Sequence, residues 1–521
     1  MAALTTEILV IGGGATGAGV ARDAAMRGFE TVLVDRFDLA MGTTGRFHGL
    51  LHSGGRYAVK DPGAAKECMD ENRVLRRVAA DCIEDTGGLF VSFPDDDAGY
   101  PDEFFAGCQR AGIPVQEISA AEALRREPLL NPRIERAFIV PDAGIDAWKT
   151  VWGCARSAAE HGGKTLPYHR VRELFRDDGV VRGARLTNER TGEDLVVDAA
   201  VTVNATGAWA AEIAAMAGCT GITVIPGKGI MIAMNHRLVN TVINRCVKPA
   251  DGDILVPIRT VSVIGTTDTK VPDPDELTVT ADEVHEMLDG GERLVPGFRQ
   301  ARALRVWAGA RPLFQDEKAD VTSTRDVSRS HALIDHRERD GIEGFVTITG
   351  GKFTTFRLMA EQTMDAVCDQ LGGHRPCRTH EEPLPDSQNG KHYWLGARLA
   401  AREQTLHDDQ LICECELITR RTLTAVIERR GTDLDDIRRT LRLGMGPCQG
   451  GFCMYRATGL GHAVASLEAG AANAALLRFL KERWKGVWPI LYGDQLRQAR
   501  LDDWIFQGLL DVEHLPASDG R

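Results

Sequence analysis

Between Glu7 and Asp35 the chain reads strand, glycine turn, helix, strand, acid, and few folds accommodate that order. Glu7-Ile8-Leu9-Val10-Ile11 is a short apolar strand, and Gly12-Gly13-Gly14-Ala15-Thr16-Gly17 follows it. A helical pattern then runs through Val20, Ala21, Ala24, Ala25 and Met26 to Gly28, and a second strand, Thr31-Val32-Leu33-Val34, ends in Asp35. In a G-x-G-x-x-G turn of this kind Gly12 permits the tight bend, Gly14 lets a pyrophosphate approach the backbone, and Gly17 lets the helix pack on the sheet. The helix N-terminus faces the pyrophosphate, and Asp35 is placed for a ribose hydroxyl. A glycine-rich turn that binds nothing is the bland alternative. The fingerprint alone does not separate FAD from NAD.

The later segments do separate them. After Asp35 the next expected strand is missing, and a loop runs from Gly42-Thr43-Thr44-Gly45-Arg46-Phe47-His48-Gly49-Leu50-Leu51 into His52-Ser53-Gly54-Gly55-Arg56-Tyr57. Ala200-Val201-Thr202-Val203 leads into Asn204-Ala205-Thr206-Gly207, and Phe345-Val346-Thr347-Ile348-Thr349 into Gly350-Gly351-Lys352-Phe353-Thr354. A helix follows, with Phe356, Met359, Val367 and Leu371 at near-helical spacing. A nucleotide domain assembled from distant segments is typical of FAD oxidoreductases. The second Gly-Gly turn would aim backbone N–H groups at a flavin ring, which suits a reduced, anionic flavin.

Four of the twelve cysteines form a pattern that fits a metal centre: Cys413-x-Cys415, a spacer of thirty-two residues, then Cys448 and Cys453 with four residues between them. The second pair lies in Gly444-Met445-Gly446-Pro447-Cys448-Gln449-Gly450-Gly451-Phe452-Cys453, where small residues let backbone N–H groups reach the sulfurs and hold an iron–sulfur cluster. Zinc also suits four thiolates, but it favours Cys-x-x-Cys knuckles, so [2Fe-2S] is the preferred reading. The other eight cysteines are scattered and read as buried thiols.

With 521 residues the chain is too long for one core and fits about two to four domains. The net charge of -12 is mild and argues against nucleic acid as a partner, while leaving room for a local basic pocket. A strand starts almost at once without a basic leader, and no apolar run reaches the ~18 residues that span a bilayer. Unpaired cysteines point to a reducing compartment. The expectation is a cytoplasmic protein without a transmembrane segment of its own.

The N-terminal fingerprint, His52-Ser53-Gly54-Gly55-Arg56-Tyr57, Ile264-Gly265-Thr266-Thr267-Asp268, Ala308-Gly309-Ala310-Arg311-Pro312-Leu313 and Gly350-Gly351-Lys352-Phe353-Thr354-Thr355-Phe356-Arg357 together resemble the FAD-dependent glycerol-3-phosphate dehydrogenases. These pieces cover residues 1–375 in family order. The C-terminal part resembles the catalytic A subunit of the anaerobic enzyme, a three-subunit complex, and residues 413–453 are similar to the [2Fe-2S] module named after bacterioferritin-associated ferredoxin. Two departures stand out. Phe47 to His52 differs from the family's usual Ser-Lys-Leu-Ile-His, and Asp35 replaces the commoner Glu.

The resemblance implies an α/β (α+β) fold: an FAD-binding Rossmann-like domain of the glutathione-reductase and D-amino-acid-oxidase type, with an inserted antiparallel-sheet substrate domain and a small helical iron–sulfur domain. Nucleotide segments are expected at about 1–60, 150–215 and 335–375, and substrate segments at about 61–149 and 216–334. A linker follows at 376–410, then the [2Fe-2S] domain at 411–465 and a helical tail at 466–521. Expected cofactor contacts are Gly12, Gly14, Ala15, Thr16, Gly17, Asp35, Arg36, Thr43, Thr44, Gly45, Ala205, Gly207, Gly351, Lys352, Phe353 and Thr354.

The implied reaction is oxidation of sn-glycerol 3-phosphate to dihydroxyacetone phosphate. C2 loses a hydride to the flavin while its hydroxyl loses a proton, which needs a base and cationic groups for the developing alkoxide. His52 is the candidate base, with Lys352 the alternative, and Arg56 and Lys352 would stabilise charge. A structural histidine beside the flavin is the competing reading of His52. The resemblance places Arg311 and Arg325 at the phosphate, where a planar guanidinium can fork two oxygens. Tyr57 and Thr267 are expected in the substrate pocket. Electrons would pass through the cluster to partner subunits and then to quinone, with the protein held at the inner face of the membrane by those partners. The alternatives are an FAD-dependent oxidase or dehydrogenase of another small hydroxy or amino acid, and a redox-sensing flavoprotein.

Asp253 to Ile264 reads as a hairpin, Thr419 to Arg430 and Asp433 to Leu441 as helices that bring both cysteine pairs to one end, and Ala463 to Trp484 as one amphipathic helix. Trp484, Trp488, Trp504 and Phe506 are a candidate docking surface, with packing on the body as the alternative.

Overall fold

The computed structural model describes residues 2–315, 330–405, 407, 409–509 and 511. Strand Ala2–Ile11 lies at the centre of a mixed sheet, paired in parallel with Thr31–Val34 on one side and Asp194–Asn204 on the other. Phe345–Gly350 extends the sheet in parallel beyond Asp194–Asn204. This sheet is covered on both faces, so its inner strands are continuous apolar runs, as burial on both sides requires. Helix Ala15–Met26 packs on one face between Ala147–Glu160 and Phe356–Leu371. Its alanines keep it close: Ala18, Ala21 and Ala24 share a core with Ile8, Val10, Val203, Ile348, Phe356 and Met364.

The second sheet is built around two long antiparallel strands, Thr223–Met234 and Ala303–Gln315, in a register that pairs Gly229 with Gly309 and Gly227 with Arg311. Strands Ile254–Ile258 and Val261–Gly265 form the expected hairpin beside them. The two sheets meet where the strands of the first end, and the main cavity lies at that junction.

The expected segment boundaries move in two places. Helix Pro62–Val78, assigned by sequence to the substrate side, delivers Leu75 and Val78 to the core of the nucleotide sheet, together with Ile83, Ala143 and Ile145. The chain leaving the cofactor loop turns back onto the sheet before it crosses to the second domain. Strand His331–Asp335 also pairs with Phe345–Gly350, so the last nucleotide segment starts earlier than 335.

Of the segment 376–410, expected as a linker, the part through Tyr393 is strapped to the body. Leu384 is in the nucleotide core, its N–H donates to Val78 O at 2.6 Å, and Tyr393 N–H donates to Ile83 O at 2.7 Å. Arg22, buried in the first helix, donates to Thr379 O at 3.1 Å.

The cysteine unit has helices Arg420–Arg430 and Leu434–Leu441 between its two pairs, as expected. The expected single helix from Ala463 to Trp484 is two, Cys453–Ala465 and Ala469–Val487, broken at Ser466 in a left-handed conformation (φ 50°). Val426, Ile437, Met454, Phe479 and Phe506 share the unit's core. Phe506 is therefore interior and not part of the proposed docking surface, whereas Trp484, Trp488 and Trp504 are exposed by 53%, 57% and 65%. Seven of the eight scattered cysteines are buried and Cys377 is half-buried. Among the described residues no helix is long and apolar enough to cross a membrane.

Candidate active site

A cavity of about 660 Å³ runs from the glycine turn to the floor of the second sheet. At its nucleotide end the first helix begins at Ala15 without a cap from its own N-cap residue or an acid in its first turn, so the positive end of the helix dipole faces the cavity. The turn has no room for side chains: a Cβ on Gly17 would sit 1.8 Å from Gly12 O, and one on Gly12 would sit 2.6 Å from Ala205 O. Gly12, Gly14, Ala15 and Thr16 line the space, while Gly17 and Gly45 stand behind the wall and shape it. Thr44 Oγ1 accepts the Ala15 N–H at 3.0 Å, and Thr43 donates to Ala310 O, joining the cofactor loop to the second sheet.

Asp35 lies at the end of its strand, as the ribose role requires, and accepts from Gly13 N–H at 2.7 Å and Phe37 N–H at 2.8 Å. Burial pushes its carboxyl up to about 6 against those two donors. Arg36 is clamped at the mouth by Asp275 at 2.7 Å, with its guanidinium 4.5 Å from the Trp209 ring centroid. Ala205 and Gly207 line the same end.

Toward the middle, the second turn is as expected: Gly350 and Gly351 both have left-handed φ, and Gly351, Lys352, Phe353 and Thr354 line the wall. Phe353 stacks on Phe47 at 5.0 Å. Thr354 Oγ1 is buried without a protein partner, a hydroxyl left for a ligand. The glycine cradle, the helix start, the acid at the end of the second strand and this orphan hydroxyl together fit FAD.

The far end gathers His48, His52, Arg56, Tyr57, Lys352 and Arg311. Lys352 Nζ is 5.2 Å from the Tyr57 ring centroid, and His52 meets the same ring edge-on at 5.4 Å. Arg56 pairs with buried Asp253 at 2.8 Å. Burial works against the charge on Arg56, and Asp253 outweighs it. Arg311 donates to Asp268 and to Thr267 O, both at 2.8 Å, and to Thr266 Oγ1. Burial, with Lys352, His48 and Arg56 adding positive charge, pulls His52 down to about 3, and burial with Arg56 and Arg311 does the same to His48. Gly54 N–H donates to His52 Nδ1 at 3.2 Å and Leu50 N–H to His48 Nδ1 at 3.3 Å.

Thr267 is not in the pocket where the sequence placed it. It is 1% exposed, accepts from Ile230 N–H at 3.0 Å and lies behind the wall that its neighbours Thr266 and Asp268 form. Arg325 lies outside the described residues. Sequence reasoning missed His48, Asp253 and Asp268 as lining groups. All three sat in quoted motifs, but nothing in the motifs showed which way their side chains point.

The four clustered cysteines converge. Each thiol contacts two of the others: Cys413 meets Cys415 and Cys453, and Cys448 meets the same two. Those contacts, followed by backbone N–H donors from Gly444 and Glu416 at Cys413 and from Gly450 and Phe452 at Cys448, favour thiolates at both positions. A Cβ on Gly446 would fall 2.3 Å from Cys415 Cβ, so the glycine lets the two cysteine loops close. The same contacts push the Cys415 and Cys453 thiols up, so the ring alternates thiolate and thiol and offers four sulfur donors to a metal centre.

Comparison with known proteins agrees with the cavity. The profile of the FAD dependent oxidoreductase family matches residues 7–366. The chain is 43% identical to the A subunit of anaerobic glycerol-3-phosphate dehydrogenase from Escherichia coli (strain K12) over 531 aligned positions, 98% of this chain and 97% of the other. It is 40% identical to the A1 subunit of the same enzyme from Haloferax volcanii, covering 98% and 92%. Among solved structures, glycerol-3-phosphate dehydrogenase from Bacillus halodurans complexed with FAD aligns with a TM-score of 0.59 at 20% identity, covering 99% and 96%. Glycine oxidase from Geobacillus kaustophilus aligns with a TM-score of 0.57 at 21% identity, covering 73% and 98%. The chain therefore belongs to the FAD-dependent oxidoreductase family, in the group formed by the A subunits of anaerobic glycerol-3-phosphate dehydrogenases.

Proposed function

We propose that this protein oxidises sn-glycerol 3-phosphate to dihydroxyacetone phosphate and sends the electrons through a [2Fe-2S] centre held by Cys413, Cys415, Cys448 and Cys453 to partner subunits and quinone. The observation that carries the reading is that one cavity joins the nucleotide turn to a wall bearing Arg56, Arg311 and Lys352. Bound FAD supplies the hydride acceptor. Arg311 lines the cavity with both terminal nitrogens bonded to protein, one to Asp268 and the other to Thr266 Oγ1 and Thr267 O, so a phosphate would take up its fork by displacing those partners. Arg56, steadied by Asp253, and Lys352 stabilise the negative charge that builds on the C2 oxygen. His52 and Lys352, the two candidates for taking the hydroxyl proton, both line the cavity. Tyr57 packs between them.

Its relatives are named as subunits, which supports a complex. The exposed Trp484, Trp488 and Trp504 are then the surface offered to those partners. The decisive experiment is anaerobic addition of glycerol 3-phosphate with flavin absorbance and cluster EPR followed together. Flavin bleaching with a reduced-cluster signal supports the relay. Bleaching alone assigns the four thiolates to zinc or to a regulatory cluster, and a flavin that no small substrate bleaches supports a redox-sensing protein instead.

A further inference from the structure

We propose that His48 and His52 are a pair of neutral imidazoles, each presenting an Nε2–H donor to substrate oxygens, and that His52 is not the proton acceptor. The argument starts from two backbone hydrogen bonds. A backbone N–H can only donate, so the nitrogen it meets must carry a lone pair. Gly54 N–H meets His52 Nδ1 at 3.2 Å and Leu50 N–H meets His48 Nδ1 at 3.3 Å. A neutral imidazole has one N–H, and with Nδ1 occupied as acceptor that N–H is on Nε2. The same local device, a backbone amide two residues on, sets both rings.

Both rings line the cavity, and among the described residues no protein atom bonds either Nε2. Protonating either ring would put a hydrogen on Nδ1 facing the amide hydrogen, break the bond, and add a cation beside Lys352, Arg56 and Arg311. His52 thus has neither a free lone pair toward the cavity nor an accessible charged form. What it offers is a preorganised N–H, a group that strengthens its bond as charge develops on oxygen. The loop is held rigid for this: Ser53 N–H donates to buried Asp142 at 2.6 Å, and Asn72 Nδ2 donates to His52 O at 3.3 Å.

His52 Nε2–H is directed to the C2 oxygen and His48 Nε2–H to a neighbouring oxygen of the same molecule. This choice of oxygens rests on the glycerol 3-phosphate reading above; the tautomers do not.

The test uses the full-length, FAD-loaded protein with ring-15N histidine. Long-range proton–nitrogen spectra between pH 5 and 8, assigned with His48→Gln and His52→Gln, should show both rings neutral and protonated at Nε2 throughout. An Nδ1–H tautomer or an imidazolium at His52 in that range overturns the proposal. Glutamine keeps an N–H donor and has no basic nitrogen, so stopped-flow flavin reduction in His52→Gln should stay within about tenfold of the parent, while His52→Ala should lose about 100-fold or more. His52→Gln as slow as His52→Ala also overturns it. A parent flavin that glycerol 3-phosphate does not reduce would instead overturn the substrate reading and the donor role with it, leaving the tautomers to the spectra.

Discussion

Asp38 is fully buried and pairs with Arg439 of the cysteine unit at 2.9 Å, 401 positions away in sequence, although it lies just past Asp35 of the glycine-turn unit. Arg430 reaches the same carboxylate at 2.6 Å. The seam between the flavin body and the cysteine unit is thus anchored directly behind the nucleotide site.

Removing that anchor should loosen the seam. Asp38→Ala takes a carboxylate partner from half-buried Arg430 and from buried Arg439, which keeps Asp436, and breaking a buried pair costs up to about 3–5 kcal/mol. We expect the variant to lose the cysteine unit to limited proteolysis much faster than the parent, with the flavin spectrum retained. Equal cleavage rates would show that the other contacts of the seam, among them Arg190 with Asp436 at 2.9 Å, hold the two parts without Asp38.

Loss of the Arg311 fork should fall on substrate binding. A hydrogen bond to a charged group contributes about 1.5–3 kcal/mol, so Arg311→Ala should raise KM for glycerol 3-phosphate by roughly 10- to 150-fold. Flavin content should be unchanged, because Arg311 is held by the second sheet and not by the nucleotide turn. Unaltered kinetics would remove Arg311 from the site.

Gly17→Ala should prevent FAD binding. The added Cβ would lie 1.8 Å from Gly12 O, closer than any real contact, so the turn must open. The ratio of flavin to protein absorbance after purification should drop about tenfold or more, which needs only ~1.4 kcal/mol of lost affinity under limiting FAD.

Gly446→Ala should remove the metal centre and leave the flavin. Its Cβ would fall 2.3 Å from Cys415 Cβ, pushing the two cysteine loops apart. Metal analysis should show the loss, and glycerol 3-phosphate should still bleach the flavin. Retained metal at parental stoichiometry would exclude the four-thiolate site.

Stability should depend on pH through the two histidines. Both are held down to about 3 in the folded chain and titrate near 6.5 when unfolded. Between those values the unfolded chain binds more protons, so stability falls as pH drops from about 6.5 toward 3, by up to ~1.4 kcal/mol per pH unit for each ring. Asp35, raised to about 6, works in the opposite direction between its unfolded value and 6, adding stability as pH falls. The difference in denaturation midpoint between the parent and a His48→Gln/His52→Gln variant should therefore shrink on acidification below about pH 6.5. A pH-independent difference would contradict the buried neutral rings.

The elements legible in the sequence are those encoded by near neighbours. The turn at Gly12 to Gly17, the hairpin from Asp253 to Ile264 and the two helices between the cysteine pairs each depend on spacing within a few residues, and each is where the spacing puts it. The four cysteines were legible as a set because glycine surrounds them, although their meeting needed the whole unit to fold.

What only the tertiary structure decided is the direction of side chains and the identity of their partners. Thr267 and its neighbours Thr266 and Asp268 share one motif, yet Thr266 and Asp268 face the cavity and Thr267 faces Ile230, because the pairing of distant strands sets which face is which. Asp253 reaches Arg56 across 197 positions, and Asp38 reaches Arg439 across 401. Local spacing specifies a turn or a helix because its hydrogen bonds close within it. A buried ion pair or a pocket wall is closed by groups from elsewhere in the chain, and only the packed fold brings them together.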